Sequence, residues 1–271
     1  MIARRNVPWV RLALAGAAVA LTLPFGGTIL AQDNKPKLNV GGVEKAGTGS
    51  IKGIVKVVGE KRNRAPIRNM NVDAFCAQYW RDKEQPLSDT YVWGDNDTLQ
   101  NVVVYVSKGL EGKEIPQLDK AAIIDQVGCI YTPHVLAVQT KQPVEIHNSD
   151  NTMHNVNFSS SGKNNPFNEA MVKGVVLKKT FTEAELGGNF KCNVHPWMGA
   201  RLAVFDHPYF AVTQQDGTFE IRGLPPGEYE ISTWHEVSVF KSDQPSYKVT
   251  VSADGVAEVT VTYNLPQPRN R

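Results

Sequence analysis

The sequence predicts an all-β protein, and three features predict it. Glycine and proline are frequent, 22 and 16 in 271 residues, and cut the chain into short pieces separated by turns. Apolar and polar residues alternate over short runs, as in S-I-K-G-I-V-K-V-V at residues 50–58, the pattern of a half-buried strand. Asp216-Gly217 lies between two such runs, the two-residue signature of a β-hairpin. The length suits one or two domains.

Residues 1–31 read as an export signal peptide. Arg4, Arg5 and Arg11 accompany an apolar stretch from Leu12 to Leu23, and the small residue Ala31 stands at a cleavage point before Gln32. Thr22, Pro24 and the Gly26-Gly27 pair break that stretch short of the ~20 apolar residues a membrane span needs. No membrane span is therefore expected after cleavage, and the location expected is periplasmic or secreted, by either export route. The formal net charge is +2, and residues 1–31 hold three Arg and no acid, so the remainder lies near −1. No nucleic-acid surface is expected from that balance.

Residues 32–49 are polar and Gly-rich, a flexible leader. After the strand at 50–58, K-R-N-R at 61–64 reads as a solvated basic turn, with docking to an acidic partner as the lesser reading. Residues 70–90 lack a clean period and read as a loop with one helical turn, held by Cys76. Leu99–Val106 is rich in β-branched residues and reads as a buried strand. A Gly- and Pro-punctuated connection follows at 108–120. Cys129–Val138 and Pro143–His147 are the next strands, and an N-S-D-N turn then delivers His154 at the start of N-V-N-F. Residues 159–169 read as a surface loop, V-V-L-K-K-T-F as a strand, T-E-A-E-L-G-G as a turn, and Phe190-Lys191 as the strand entering Cys192. Beyond Phe205 come the Asp216-Gly217 hairpin, a rigid P-P-G turn at Pro225–Gly227, and two last strands ending at Tyr263. Residues 264–271 read as a frayed tail.

The chemistry concentrates in G-N-F-K-C-N-V-H-P-W-M-G, from Gly188 to Gly199. Cys192, His195 and Met198 fall within seven residues, and His154 offers a second imidazole. Two His, one Cys and a weak Met are the ligand set of a blue-copper electron-transfer site. The soft thiolate and thioether hold Cu(I), and imidazoles suit both copper states. Zinc could use the same Cys and His, but it normally takes four strong ligands, and no second Cys lies near this loop.

These residues resemble the cupredoxin family. The loop C-x2-H-x2-M, with Pro196 and Trp197 inside it, is most similar to the amicyanin loop. Q-P-V-E-I-H-N-S-D-N-T-M-H-N-V resembles the family's first-His segment, and the resemblance is strongest from Gly128 to Val204. It implies a Greek-key cupredoxin β-sandwich over residues 50–206, with one type 1 copper. His154, Cys192 and His195 would be equatorial ligands and Met198 the axial one. Asn155 would tie the His strand to the Cys loop. It further implies that the His195 edge lies near the surface, ringed by Pro196 and Trp197, where a redox partner protein docks. Residues 207–263, with G-T-F-E-I-R-G-L-P-P-G-E-Y, resemble the transthyretin-like module, also called carboxypeptidase regulatory-like. It would be a small β-sandwich accessory. Fewer than sixty residues are marginal for independent folding, so this module is expected to pack on the first domain.

With Cys192 assigned to copper, Cys76 and Cys129 remain, and an oxidising compartment permits them to pair. The bridge would contribute about 3–4 kcal/mol on the chain-entropy model. Two buried free thiols are the alternative. His147 is the rival to His154 as first ligand. His134, His207 and His235 read as satisfied or surface imidazoles, although a second metal site built from these four is conceivable. The function expected is an exported single-electron carrier. The alternative is a copper-binding or interaction module of an envelope complex with no carrier role. A multicopper oxidase or nitrite reductase would need H-x-H or H-C-H motifs, which this chain lacks; no enzyme is expected.

Overall fold

The structure is a computed structural model that describes Val43 and residues 47–265. The expected signal at 1–31, most of the 32–49 leader and most of the 264–271 tail lie outside the described residues. At the edges of those last two expectations the structure differs. Gly49 already pairs within a strand, Asn264 ends one, and Leu265 is buried, its N–H bonded to Val58 O at 2.9 Å.

Strand β1 is Gly49–Val58, a single 3-10 turn covers Met70–Val72, and helix α1 is Ala74–Trp80. Strand β2 is Val103–Lys108. A central run follows: β3 (Ala122–Gln126), β4 (Tyr131–Thr132), β5 (Val135–Gln139), β6 (Val144–Asn148), β7 (His154–Ser159) and β8 (Phe167–Met171). It continues with β9 (Val176–Lys179), β10 (Glu185–Lys191) and β11 (Gly199–Phe205). The last strands are β12 (Phe210–Val212), β13 (Thr218–Leu224), β14 (Gly227–Trp234), β15 (Lys241–Ser242), β16 (Tyr247–Val251) and β17 (Val256–Asn264).

The described chain is nearly all β, as its alternating runs require, but the strands are shared out differently from the sequence boundary at 206/207. One sandwich packs sheet β13-β1-β17-β15 on sheet β12-β2-β14-β16, with Ile51, Val104, Ile221, Ile231 and Val261 in its core. The other packs sheet β5-β11-β10-β7-β8 on sheet β4-β3-β6-β9. The first domain is therefore not a continuous 50–206. β1 pairs with β13 and in parallel with β17, and β2 lies between β12 and β14. The central sandwich, β3 to β11, is inserted between β2 and β12 of the outer one. The 207–263 stretch supplies β12 to β17, and β1 and β2 complete its two sheets and enlarge a core that would be small alone.

The two sandwiches share a layer. All five residues of β5 are buried. Leu136 and Val138 face the inserted core, whereas Val135 and Ala137 pack with Ala203, Phe205, Val103, Phe210 and Val212 against the outer sandwich. A strand buried on both faces reads as the continuous apolar run V-L-A-V rather than an alternation. Residues 182–188, expected as a turn, are largely strand. β10 absorbs the two glycines through a bulge at Gly187, whose φ of +89° suits glycine; a Cβ there would sit 3.3 Å from the Trp234 ring.

A polar contact locks the same junction. The buried Glu236 carboxylate takes Arg201 Nε at 2.8 Å through one oxygen and His134 Nε2 through the other. Its neighbour His235 is also buried and packs on Phe240 and Tyr263. Burial above all, with the nearby charge of His134 and against that of Glu236, pushes the His235 pKa down to about 4. An unfolded His titrates near 6.5, so below that pH the unfolded chain takes up a proton that the fold refuses. Stability is then complete above about pH 6.5, and about 3 kcal/mol is lost as pH falls to about 4. Urea midpoints across this window should fall less steeply in His235→Gln than in the parent.

Candidate metal centre

The β10–β11 hairpin builds the centre. Lys191 pairs with Gly199, so Cys192 and Met198 are the first and last residues of the loop between those strands. Both are 2 % exposed and packed in the inserted core. Met198 N–H donates to His195 O at 2.9 Å, a turn that folds His195 back toward Cys192. β7 runs beside β10 with Asn157 opposite Lys191, which carries Asn155 and His154 past the strand end to the loop. Tyr131 Oη donates to Asn155 O and Lys191 O, each at 3.3 Å, and braces the two strands from behind.

His154, Cys192 and His195 are all buried, and each presents a ligand atom within 4.8 Å of the others. His195 Nδ1 lies 2.8 Å from His154 Nδ1 and 3.7 Å from Cys192 Sγ. Cys76 and Cys129 form a disulfide, which leaves Cys192 as the free thiol. Asn155 N–H donates to Cys192 Sγ at 3.4 Å. Asn155 Oδ1 accepts from the backbone N–H of Asn193 at 2.6 Å and Val194 at 3.4 Å, so this side chain joins the His strand to the Cys loop.

Electrostatics favour a thiolate here. Burial disfavours the charged sulfur, but the His154 bond and the backbone N–H groups of Asn155, His195 and Val194 outweigh it and lower the Cys192 pKa. Burial likewise opposes charge on His154, yet its bonds to Asp150 and Cys192 lift its pKa to about 9. For His195, burial and the charge of His154 prevail over Asp73 and lower the pKa. The donor set fits copper: one thiolate, two imidazole nitrogens sharing a pocket, and a buried thioether at the loop's end.

Sequence reasoning missed two carboxylates. Asp150, 1 % exposed, accepts from Gly128 N–H at 2.6 Å, Cys129 N–H at 2.7 Å and His154 Nε2 at 2.9 Å. It stands four residues before His154 in the N-S-D-N turn, so that turn was the available signal. Asp73 has no local signal. Its Oδ2 lies 3.4 Å from His195 Nε2, from a segment 122 residues away along the chain.

His195, whose edge is expected near the surface, is 1 % exposed, and the Asp73 carboxylate that precedes α1 lies 3.4 Å from its Nε2. Pro196 is exposed and Trp197 half-buried, with its Nε1–H on Cys129 O at 3.1 Å. His147, the rival ligand, faces Glu145 at 3.2 Å on β6. Among the described residues no cluster of three ligand side chains includes His134, His147, His207 or His235. No helix there is long and apolar enough to cross a membrane.

No protein-family model and no curated protein matches the chain. Solved structures of copper proteins do match over about a third of it. A Cu-containing nitrite reductase (NirK) from Thermus scotoductus SA-01 is 21 % identical over 36 % of this chain, at a TM-score of 0.30. The chain spans 25 % of that protein's length. An oxidised mutant of amicyanin is 28 % identical, with 31 % of this chain and 81 % of its own length covered, at a TM-score of 0.28. A purple cupredoxin from Nitrosopumilus maritimus is 22 % identical over 31 % of this chain and 98 % of its own, at 0.27.

Proposed function

We propose that this chain is an exported type 1 copper protein that carries single electrons between redox partners, with no catalytic role of its own. The observation that carries the reading is the convergence of the Cys192 sulfur and two imidazole Nδ1 atoms, all on buried residues. His154, Cys192 and His195 would hold the ion, with the Met198 thioether as a further weak donor. Bound copper supplies a Cu(II)/Cu(I) couple that takes up and releases one electron. The protein's part is to keep the donors in place whichever state is present. The Asn155 side chain pins the loop backbone and the Asp150 carboxylate fixes His154. The closely packed Phe158 and Phe190 rings lie in the core behind. Zinc is the poorer fit, since the two carboxylates beside the site are engaged already, Asp150 by three N–H groups and Asp73 by Cys76 N–H and Thr152 Oγ1. A redox partner would dock on the face that includes Pro196 and Trp197.

Titration of the purified protein with Cu(II), followed by visible absorption, tests this reading. An intense thiolate-to-copper band is expected, bleached reversibly by a mild reductant and absent from Cys192→Ser. A colourless parent protein without bound copper would sink it. The covered His195 favours a second reading, a copper-holding module of a larger complex. Rapid-mixing electron exchange with a redox partner separates the two, because a carrier turns over and a holding module does not.

A further inference from the structure

Helix α1 belongs to neither sandwich sheet, yet it is fixed to the metal-binding end of the inserted one. The Cys76–Cys129 disulfide ties its first turn down, and Trp80 Nε1–H donates to Gly128 O at 2.7 Å. Asp73, its N-cap, accepts from Cys76 N–H through Oδ1 at 2.9 Å and from Thr152 Oγ1 through Oδ2 at 3.2 Å. A helix of seven residues has too few hydrogen bonds to persist alone. Its position is therefore set by the bridge and these contacts.

That placement bears on His195. Its Nδ1 points at Cys192 and His154, so Nε2 is its other polar atom, buried and without a well-aligned hydrogen bond. Among the described residues the ion pair at Nε2 is with the Asp73 carboxylate, at 3.4 Å, while the charges of His154 and Asp150 act on the ring from farther off. A neutral imidazole carries one N–H and one lone pair. A carboxylate on the Nε2 side keeps the proton there and leaves the lone pair on Nδ1, where a metal would be met.

We infer that Asp73 is the positioning residue of His195, and that the disulfide-anchored α1 is a fixed cap over that imidazole. The positioning role rests on the reading of His154, Cys192 and His195 as copper ligands; the cap does not. Electron exchange then proceeds through the cap and the loop face beside it, not through a bare His195 edge. The negative charge beside His195 also favours the more highly charged oxidised state of the site.

Two substitutions separate these roles. Asn caps helices as well as Asp does, so Asp73→Asn keeps the start of α1 while removing the charge, whereas Asp73→Ala removes both. In the metal-free full chain, diethyl pyrocarbonate should acylate His195 slowly in the parent and about tenfold faster in Asp73→Ala, through easier local opening. The partly exposed His147 is the internal reference. In copper-loaded protein, Asp73→Asn should raise the reduction potential while the absorption band persists. A parent-like His195 acylation rate in Asp73→Ala overturns the cap. An unchanged potential in Asp73→Asn overturns the positioning role. A parent protein that binds no Cu(II) overturns the copper reading and the positioning role with it, while the acylation result still decides the cap.

Discussion

Asp150→Ala should be among the most damaging single substitutions near the centre, lowering stability by about 3–5 kcal/mol. The carboxylate is 1 % exposed and takes three N–H donors, from Gly128, Cys129 and His154. Its removal leaves two buried backbone N–H groups without a partner, each costing about 1–3 kcal/mol, and frees the His154 ring as well. Asp150→Asn should recover only part of the loss, because one of its two side-chain atoms is itself a donor facing donors. The urea midpoint measures the stability. Copper affinity should fall about 10- to 100-fold as the orientation of His154 loosens. A variant with the parent's midpoint and the parent's affinity would mean that these three bonds have little net effect.

Replacing Cys76 and Cys129 together by Ala should cost about 4 kcal/mol on the chain-entropy account of a disulfide joining residues 53 apart. Their Cα atoms are 5.8 Å apart. Both cysteines are fully buried, so the lost packing adds to the effect. Urea unfolding under non-reducing conditions measures the loss, and a parent-like midpoint would refute it. Cys129 N–H also donates to Asp150. The two sets of substitutions should therefore be non-additive: combined with Asp150→Ala, the disulfide variant should lose less than the sum of the separate losses.

The local donor set was legible along the chain. Cys192, His195 and Met198 lie in one hairpin loop, so seven residues of chain suffice to hold them near one another. His154 and Asn155 were legible because they begin a strand whose turn and alternation are local. The all-β class followed from the same short-range signals. Contacts between distant segments came from packing instead. β1 alternates in the same way whichever sheet receives it, and a period-two pattern names a face but not a partner more than 160 residues away; the β-branched run of β2 names none either. Hence the nesting of one sandwich within the other was invisible. The same holds for Asp73, whose only sequence feature is that it precedes a short helix. The Cys76–Cys129 bridge was open to inference from the cysteine count, but which side chain it would bring to His195 depends on how α1 packs at that end of the sandwich, and no local pattern in the chain encodes that.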